Sequence, residues 1–247
     1  EVLVKLNKSF TVVRNLDKEQ KIEASQKLSA YIKYSRLHKD SSIWIAQREG
    51  RSKDGNDRTN PSILKMFCLA AEGEHPIDYL KRLNIRTVSC SYEYNPCDGL
   101  TLPELYAKSK GEKYVKSPGE DMKAMVAGVM GKKGKAHISF SKSLNEELDS
   151  LKELENKNKI YQKIAKIIDR RVHRNYKLFN TNYIAFDLLN QGERFKDFYS
   201  VEEVESFAEY MNGKIEKVDG EKQVLKELFL KMYANPVINK LEEAQEL

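Results

Sequence analysis

The stretch that most constrains the fold is Ser42-Ile43-Trp44-Ile45-Ala46, which runs without a break into Gln47-Arg48-Glu49-Gly50-Arg51-Ser52-Lys53-Asp54-Gly55-Asn56-Asp57-Arg58-Thr59. Residues 43–46 show no polar alternation, which suits a strand buried on both faces, as central strands are in parallel sheets covered by helices. A charged loop leaving such a strand stands at its carboxyl end, where open α/β sheets hold their ligands. The expectation is therefore an α/β fold: a mainly parallel sheet flanked by helices, with a helical C-terminal region.

The loop sets four cations (Arg48, Arg51, Lys53, Arg58) among three carboxylates (Glu49, Asp54, Asp57), with Gly50 and Gly55 free of the usual backbone limits. Asn60-Pro61 follows, an N-cap with proline at the first helical position, so the next helix directs its positive end back at the loop. Guanidinium groups, backbone N–H groups and a helix N-terminus together favour an oxyanion such as phosphate. The plainer alternative is a solvated charged turn.

The rest of the chain supplies the frame. Residues 10–14 (Phe-Thr-Val-Val-Arg) suit a short strand ending on a cation. Asp17 with Gln20 forms a capping box for a helix reaching about Leu37, so strand, helix and the 43–47 strand compose a βαβ crossover. Helices are expected from Pro61 to Ala71 and over residues 76–80, then a strand over 85–92. Residues 122–130 predict a helix, and Ala136-His137-Ile138-Ser139-Phe140 a further strand with His137 partly buried. From Leu144 onward the pattern is helical, and the organisation expected is an α/β domain over 1–143 followed by a helical region over 144–247. In that region Lys163, Lys166, Arg170, Arg171, His173 and Arg174 form a basic stripe, either a solvated helix face or a contact for anionic lipid headgroups.

Charge narrows the partners. Lys and Arg number 43 against 37 Asp and Glu, a net charge of +6 in 247 residues. That suits phosphates or an anionic membrane surface without reaching the level of a dedicated nucleic-acid binder. No apolar run approaches the length of a bilayer span, so the expected location is cytoplasmic, peripheral on the inner face of the cell membrane. Cys68, Cys90 and Cys97 have neither the number nor the spacing of a disulfide framework or zinc site, which points to a reducing compartment. There is no Gly-x-Ser-x-Gly elbow and no Gly-x-Gly-x-x-Gly after a strand.

Glu49-Gly50-Arg51-Ser52 resembles the third block of the glycerolipid acyltransferases, the glycerol-3-phosphate and lysophosphatidate acyltransferases, with one residue fewer than usual between Gly and Arg. Residues 10–14, closing on Arg14, resemble the second block, and Val88-Ser89-Cys90-Ser91-Tyr92 the fourth, in the family's order. The resemblance covers about the first 140 residues. It implies transfer of an acyl group from a thioester co-substrate, acyl-CoA or acyl carrier protein, to a hydroxyl of glycerol 3-phosphate or a lysophospholipid, with no bound cofactor or metal. It also implies that Arg14, Glu49, Gly50, Arg51 and Ser52 bind the acceptor, and that no nucleic acid is involved. The family's general base is the histidine of His-x-x-x-x-Asp, and none of His38, His75, His137 or His173 has aspartate five positions on. That pair is expected ahead of Glu1, since the chain opens on apolar Val2-Leu3-Val4 without methionine; an inactive homologue is the other account. The 247 residues alone are then expected not to turn over thioester, because general-base assistance is worth on the order of 10²–10⁴ in rate. The non-enzymatic rival is a basic phosphate-binding module gripping phospholipid or nucleic acid with Arg48, Arg51, Lys53 and Arg58.

Overall fold

The computed structural model describes residues 17–48 and 52–245. In chain order these form α1 (Lys18–Leu37), α2 (Pro61–Phe67) continued by a 3-10 turn (Cys68–Ala70), α3 (Pro76–Leu83), β1 (Arg86–Tyr92), α4 (Asp98–Ser109) and α5 (Glu120–Met130). Then come β2 (Ala136–Ser143), α6 (Asn145–Asp149), α7 (Lys157–Arg174), α8 (Asn180–Asn190), α9 (Val201–Ile215) and α10 (Lys222–Gln245).

The expected fold class is overturned. Among the described residues 60% are helical, and their sheet has two antiparallel strands, β1 and β2, not a mainly parallel set flanked by helices. Residues 43–46 are not a strand: they carry no regular structure and Trp44 is 69% exposed. The physical reason is that a short apolar run fixes neither strand nor partner by itself. Both strands of the described sheet lie elsewhere and pair with each other, so the expected βαβ crossover lacks its second strand. The proposed strand over residues 10–14 lies outside the described residues.

Local signals fared better because their physics is local. Asp17 and Gln20 form the reciprocal capping box, with Gln20 N–H donating to Asp17 Oδ1 at 2.8 Å. Asn60 caps α2 by accepting from Ser62 N–H at 3.0 Å, with Pro61 opening the helix. Both expected strands after residue 84 are present; His137, however, is exposed on β2.

The chain divides into two compact units, one of residues 1–50, 59–86 and 142–167, the other of residues 51–58, 87–141 and 168–247. In the first unit, Ser29 on α1 donates to the Phe67 carbonyl (2.8 Å) and accepts from Ala70 N–H (3.0 Å), fastening α1 to the end of α2. Arg36 Nε reaches the Leu83 carbonyl at 3.2 Å, satisfying an end of α3 that Asn84 terminates with φ 56°. Leu64, Ile77, Leu80, Leu144, Leu148 and Ile160 are almost wholly buried there.

In the second unit, α10 packs along α8 and against α4 and α9. Phe207, Met211, Leu225, Phe229 and Tyr233 lie in its core, with the Phe229 and Tyr233 rings stacked at 5.2 Å. Within that apolar mass sits the fully buried carboxylate of Asp98. Its Oδ2 accepts from Tyr210 Oη and Tyr233 Oη, each at 2.7 Å, and its Oδ1 from Gly99 N–H at 2.6 Å with Lys214 Nζ at 3.1 Å. A buried carboxylate is tolerated when its acceptor capacity is filled in this way. Among the described residues no helix is long and apolar enough to cross a membrane.

Candidate functional site

The loop that the sequence singled out is an anchored segment over residues 52–58, half-buried up to Asp57 with Arg58 exposed. Ser52 Oγ donates to Asp54 Oδ1 at 3.2 Å, and the same carboxylate accepts from Asn56 N–H at 3.2 Å, an Asx-type turn. Lys53 pairs with Glu104 of α4. Asn235 of α10 donates from Nδ2 to the Asp54 carbonyl at 2.6 Å.

Gly55 meets α10 at the adjacent turn. The helical partner of the Met232 carbonyl would be the amide of residue 236, which is proline and has no N–H. Gly55 adopts φ +72° against that carbonyl, and a Cβ there would collide with the oxygen while standing 3.3 Å from Pro236 Cδ. Glycine is required twice over, for the left-handed backbone and for the close approach.

Asp57 and Arg58 complete the anchorage. His173, with a fully buried side chain, approaches the Asp57 carbonyl with Nε2 at 2.7 Å and faces Glu243 Oε1 with Nδ1 at 3.3 Å. Tyr176 Oη donates to Asp57 Oδ2 at 2.6 Å; burial first, then the Asp57 charge, pushes that phenol's pKa upward. Arg58 donates to Asn239 Oδ1 at 3.1 Å and to Glu242 Oε2 at 2.8 Å, and Arg170 Nε stands 3.3 Å from Glu243 Oε2. His173, read as part of an exposed basic stripe, is therefore an interior residue. It shares an inward helical face with Asp169 and Val172.

Of the acceptor residues expected from the sequence, Arg14, Glu49, Gly50 and Arg51 lie outside the described residues. Ser52 is half-buried and engaged with Asp54. The chain on either side of residues 49–51 is held: Asn60 N–H donates to the Gln47 carbonyl at 2.9 Å, and the 52–58 segment is fixed as above. Sequence reasoning missed the anchoring partners Glu104, His173, Tyr176, Asn235, Asn239 and Glu242. The one signal that pointed to any of them was Asn235-Pro236 within an otherwise helical apolar pattern.

The other histidines have local duties. His75 Nδ1 accepts from Ile77 N–H at 3.4 Å as the cap of α3, and His38 stacks on Tyr34 at 5.6 Å. Cys68 is held as a thiol, its pKa pushed up to about 11 by burial above all. No family model, curated protein or solved structure matches this chain.

Proposed function

We propose that this chain carries the acceptor side of a glycerolipid acyltransferase, with the Glu49-Gly50-Arg51-Ser52 block receiving the phosphate of glycerol 3-phosphate or a lysophospholipid. The observation that carries the reading is the segment that follows this block. Lys53, Asp57 and Arg58 are engaged with Glu104, Tyr176 and Glu242, the Asp54 carbonyl accepts from Asn235, and the Asp54 carboxylate closes the turn through Ser52 and Asn56. They act as a mount for the block and not as ligands. In the reaction the thioester's acyl C–S bond breaks and an ester C–O bond forms. The acceptor hydroxyl gives its proton to a base, and the sulfur leaves as thiolate to be protonated. Arg51 would hold the acceptor phosphate and Glu49 would order the acceptor hydroxyl. Arg14 would add a second cation from the preceding block. The enzyme would work at the inner face of the cell membrane, with acyl-CoA or acyl carrier protein as donor.

The anchoring counts against a non-catalytic phosphate grip built on four cations, because Lys53 and Arg58 already hold Glu104 and Glu242. The two readings separate in one experiment. Glycerol 3-phosphate is expected to raise the chain's thermal midpoint, and Arg51→Gln to abolish that rise while leaving the ligand-free midpoint in place. Lys53→Met and Arg58→Met are expected to do the reverse, lowering the ligand-free midpoint through a loss of stability of about 0.2–1 kcal/mol each, as partly exposed pairs do, with the ligand-induced rise retained. Equal loss of binding in all three variants, or binding of a duplex oligonucleotide that falls steeply with salt, would sink the acyltransferase reading.

A further inference from the structure

The second unit carries an apolar surface on α5 that inverts the usual arrangement of a globular helix. Met122, Met125, Val126, Val129 and Met130 recur at the spacing of one helical face, and they are 54–80% exposed. The opposite face, Ala124, Ala127 and Gly128, is the half-buried one. It is held from beneath by Cys97 Sγ, which donates to the Ala124 carbonyl at 3.4 Å. Small residues are turned inward and long apolar ones outward, the reverse of what core burial demands. Ile138 and Phe140 of β2 and Val115 ahead of α5 are exposed in the same unit. An apolar array of this size signals an interaction surface.

The charge of the surrounding chain selects the partner. Between residues 107 and 135 stand eight lysines against three carboxylates. The carboxylates at the start of α5 are engaged: Glu120 accepts from Tyr114 Oη at 2.8 Å, and Asp121 pairs with Lys116 at 2.6 Å. Lys133 is consumed as the C-terminal cap, donating to the carbonyls of Val129 (2.8 Å) and Gly131 (3.2 Å). Lys123 is exposed beside the apolar stripe, whereas Lys132 Nζ lies 3.9 Å over the Tyr94 ring and Lys135 Nζ stands 4.0 Å from Glu93 Oε1. A second copy of this surface would bring lysines against lysines, whereas a sheet of anionic headgroups over hydrocarbon satisfies both components at once. Met and Val side chains need no shaped pocket, which a fluid acyl layer does not offer.

We infer that α5 docks the protein on anionic phospholipid, lying in the plane of the interface with Met122, Met125, Val126, Val129 and Met130 in the acyl boundary and Lys123 at the headgroups. This assignment stands on exposure and charge alone and is independent of the acyltransferase reading. It also places the lipid contact on α5 and not on the basic stripe of α7, whose apolar residues Ile164, Ile168 and Val172 are buried.

The test is flotation of the 247-residue chain with vesicles of phosphatidylcholine alone and of three parts phosphatidylcholine to one part phosphatidylglycerol, without thioester or acceptor. Binding is expected to the anionic vesicles only and to weaken in high salt as the charges are screened. Lys123→Gln should lower partitioning about fivefold, the equivalent of one surface lysine. Val129→Asp should lower it at least tenfold, the value of burying one aliphatic side chain, with the far-UV spectrum and thermal midpoint preserved because the site is exposed. Equal partitioning of Val129→Asp and the parent chain would overturn the assignment. So would binding to pure phosphatidylcholine at the same strength, or a dimer in light scattering that Val129→Asp splits while vesicles are ignored.

Discussion

Gly55→Ala is expected to release the 52–58 segment from α10 and to cost about 3 kcal/mol. That figure combines about 1–2 kcal/mol for a left-handed residue with a Cβ and about 1–3 kcal/mol for overpacking against atoms that cannot move. The obstacle is the Met232 backbone carbonyl, not the end of a flexible side chain, so relief requires the segment itself to shift. A shift there breaks the Asn235–Asp54 contact and displaces Asp57 from His173 and Tyr176. Denaturant unfolding measures the loss. Hydrogen exchange at residues 52–58 shows whether it begins locally, because a half-buried segment that loses its anchoring contacts opens before the core does. Under the acyltransferase reading, Gly55→Ala should also weaken glycerol 3-phosphate binding without touching any ligand group. Pro236→Ala probes the same joint from the other side. Restoring an amide at residue 236 gives the Met232 carbonyl a helical partner and draws it away from Gly55.

How much of this was legible follows from the range of each interaction. The capping box of Asp17 and Gln20, the Asn60-Pro61 helix start and the strands at Arg86–Tyr92 and Ala136–Ser143 depend on neighbours within a few residues or on a short repeat. The anchoring of the charged loop depends on partners such as Glu242, 184 residues from Arg58, and His173, 116 residues from Asp57. Nothing in a one-dimensional pattern separates an arginine that waits for a ligand from one that already has a glutamate. The misplaced strand at residues 43–46 has the same origin. Apolar content predicts burial, but burial in a sheet also needs a neighbouring strand to take the backbone hydrogen bonds, and the sequence carries no local record of one. Likewise α5 was legible as an apolar helix, while its outward orientation was not, because composition does not tell core from interface.

Asp98→Ala is expected to lower stability by about 3–5 kcal/mol, the range for removing one partner from a buried charged network. The carboxylate is fully buried, whereas its cation Lys214 is 30% exposed and can recover some hydration, so most of the loss comes from the phenols and not from the ammonium. Tyr233 Oη also accepts from Asn95 N–H at 3.0 Å, so truncation leaves two hydroxyls and the Gly99 amide without their acceptor and loosens the entry to α4. Asp98→Asn keeps an acceptor oxygen and should lose less. The network also fixes an alkaline limit. Tyr233 and Tyr210 have pKa values raised above the ordinary phenol value, by burial first and the Asp98 charge second. A raised folded-state pKa gives a contribution fully present below the unfolded value, about 10, and lost as pH climbs toward the folded one. There the unfolded chain ionises its phenols and the folded chain cannot. Stability of the parent chain should therefore fall above about pH 10, and the fall should be shallower in Asp98→Ala, where one cause of the shift is gone. Urea unfolding at a series of pH values extending above about pH 10 measures both slopes; identical alkaline slopes in the two proteins would show that Asp98 does not control the tyrosines.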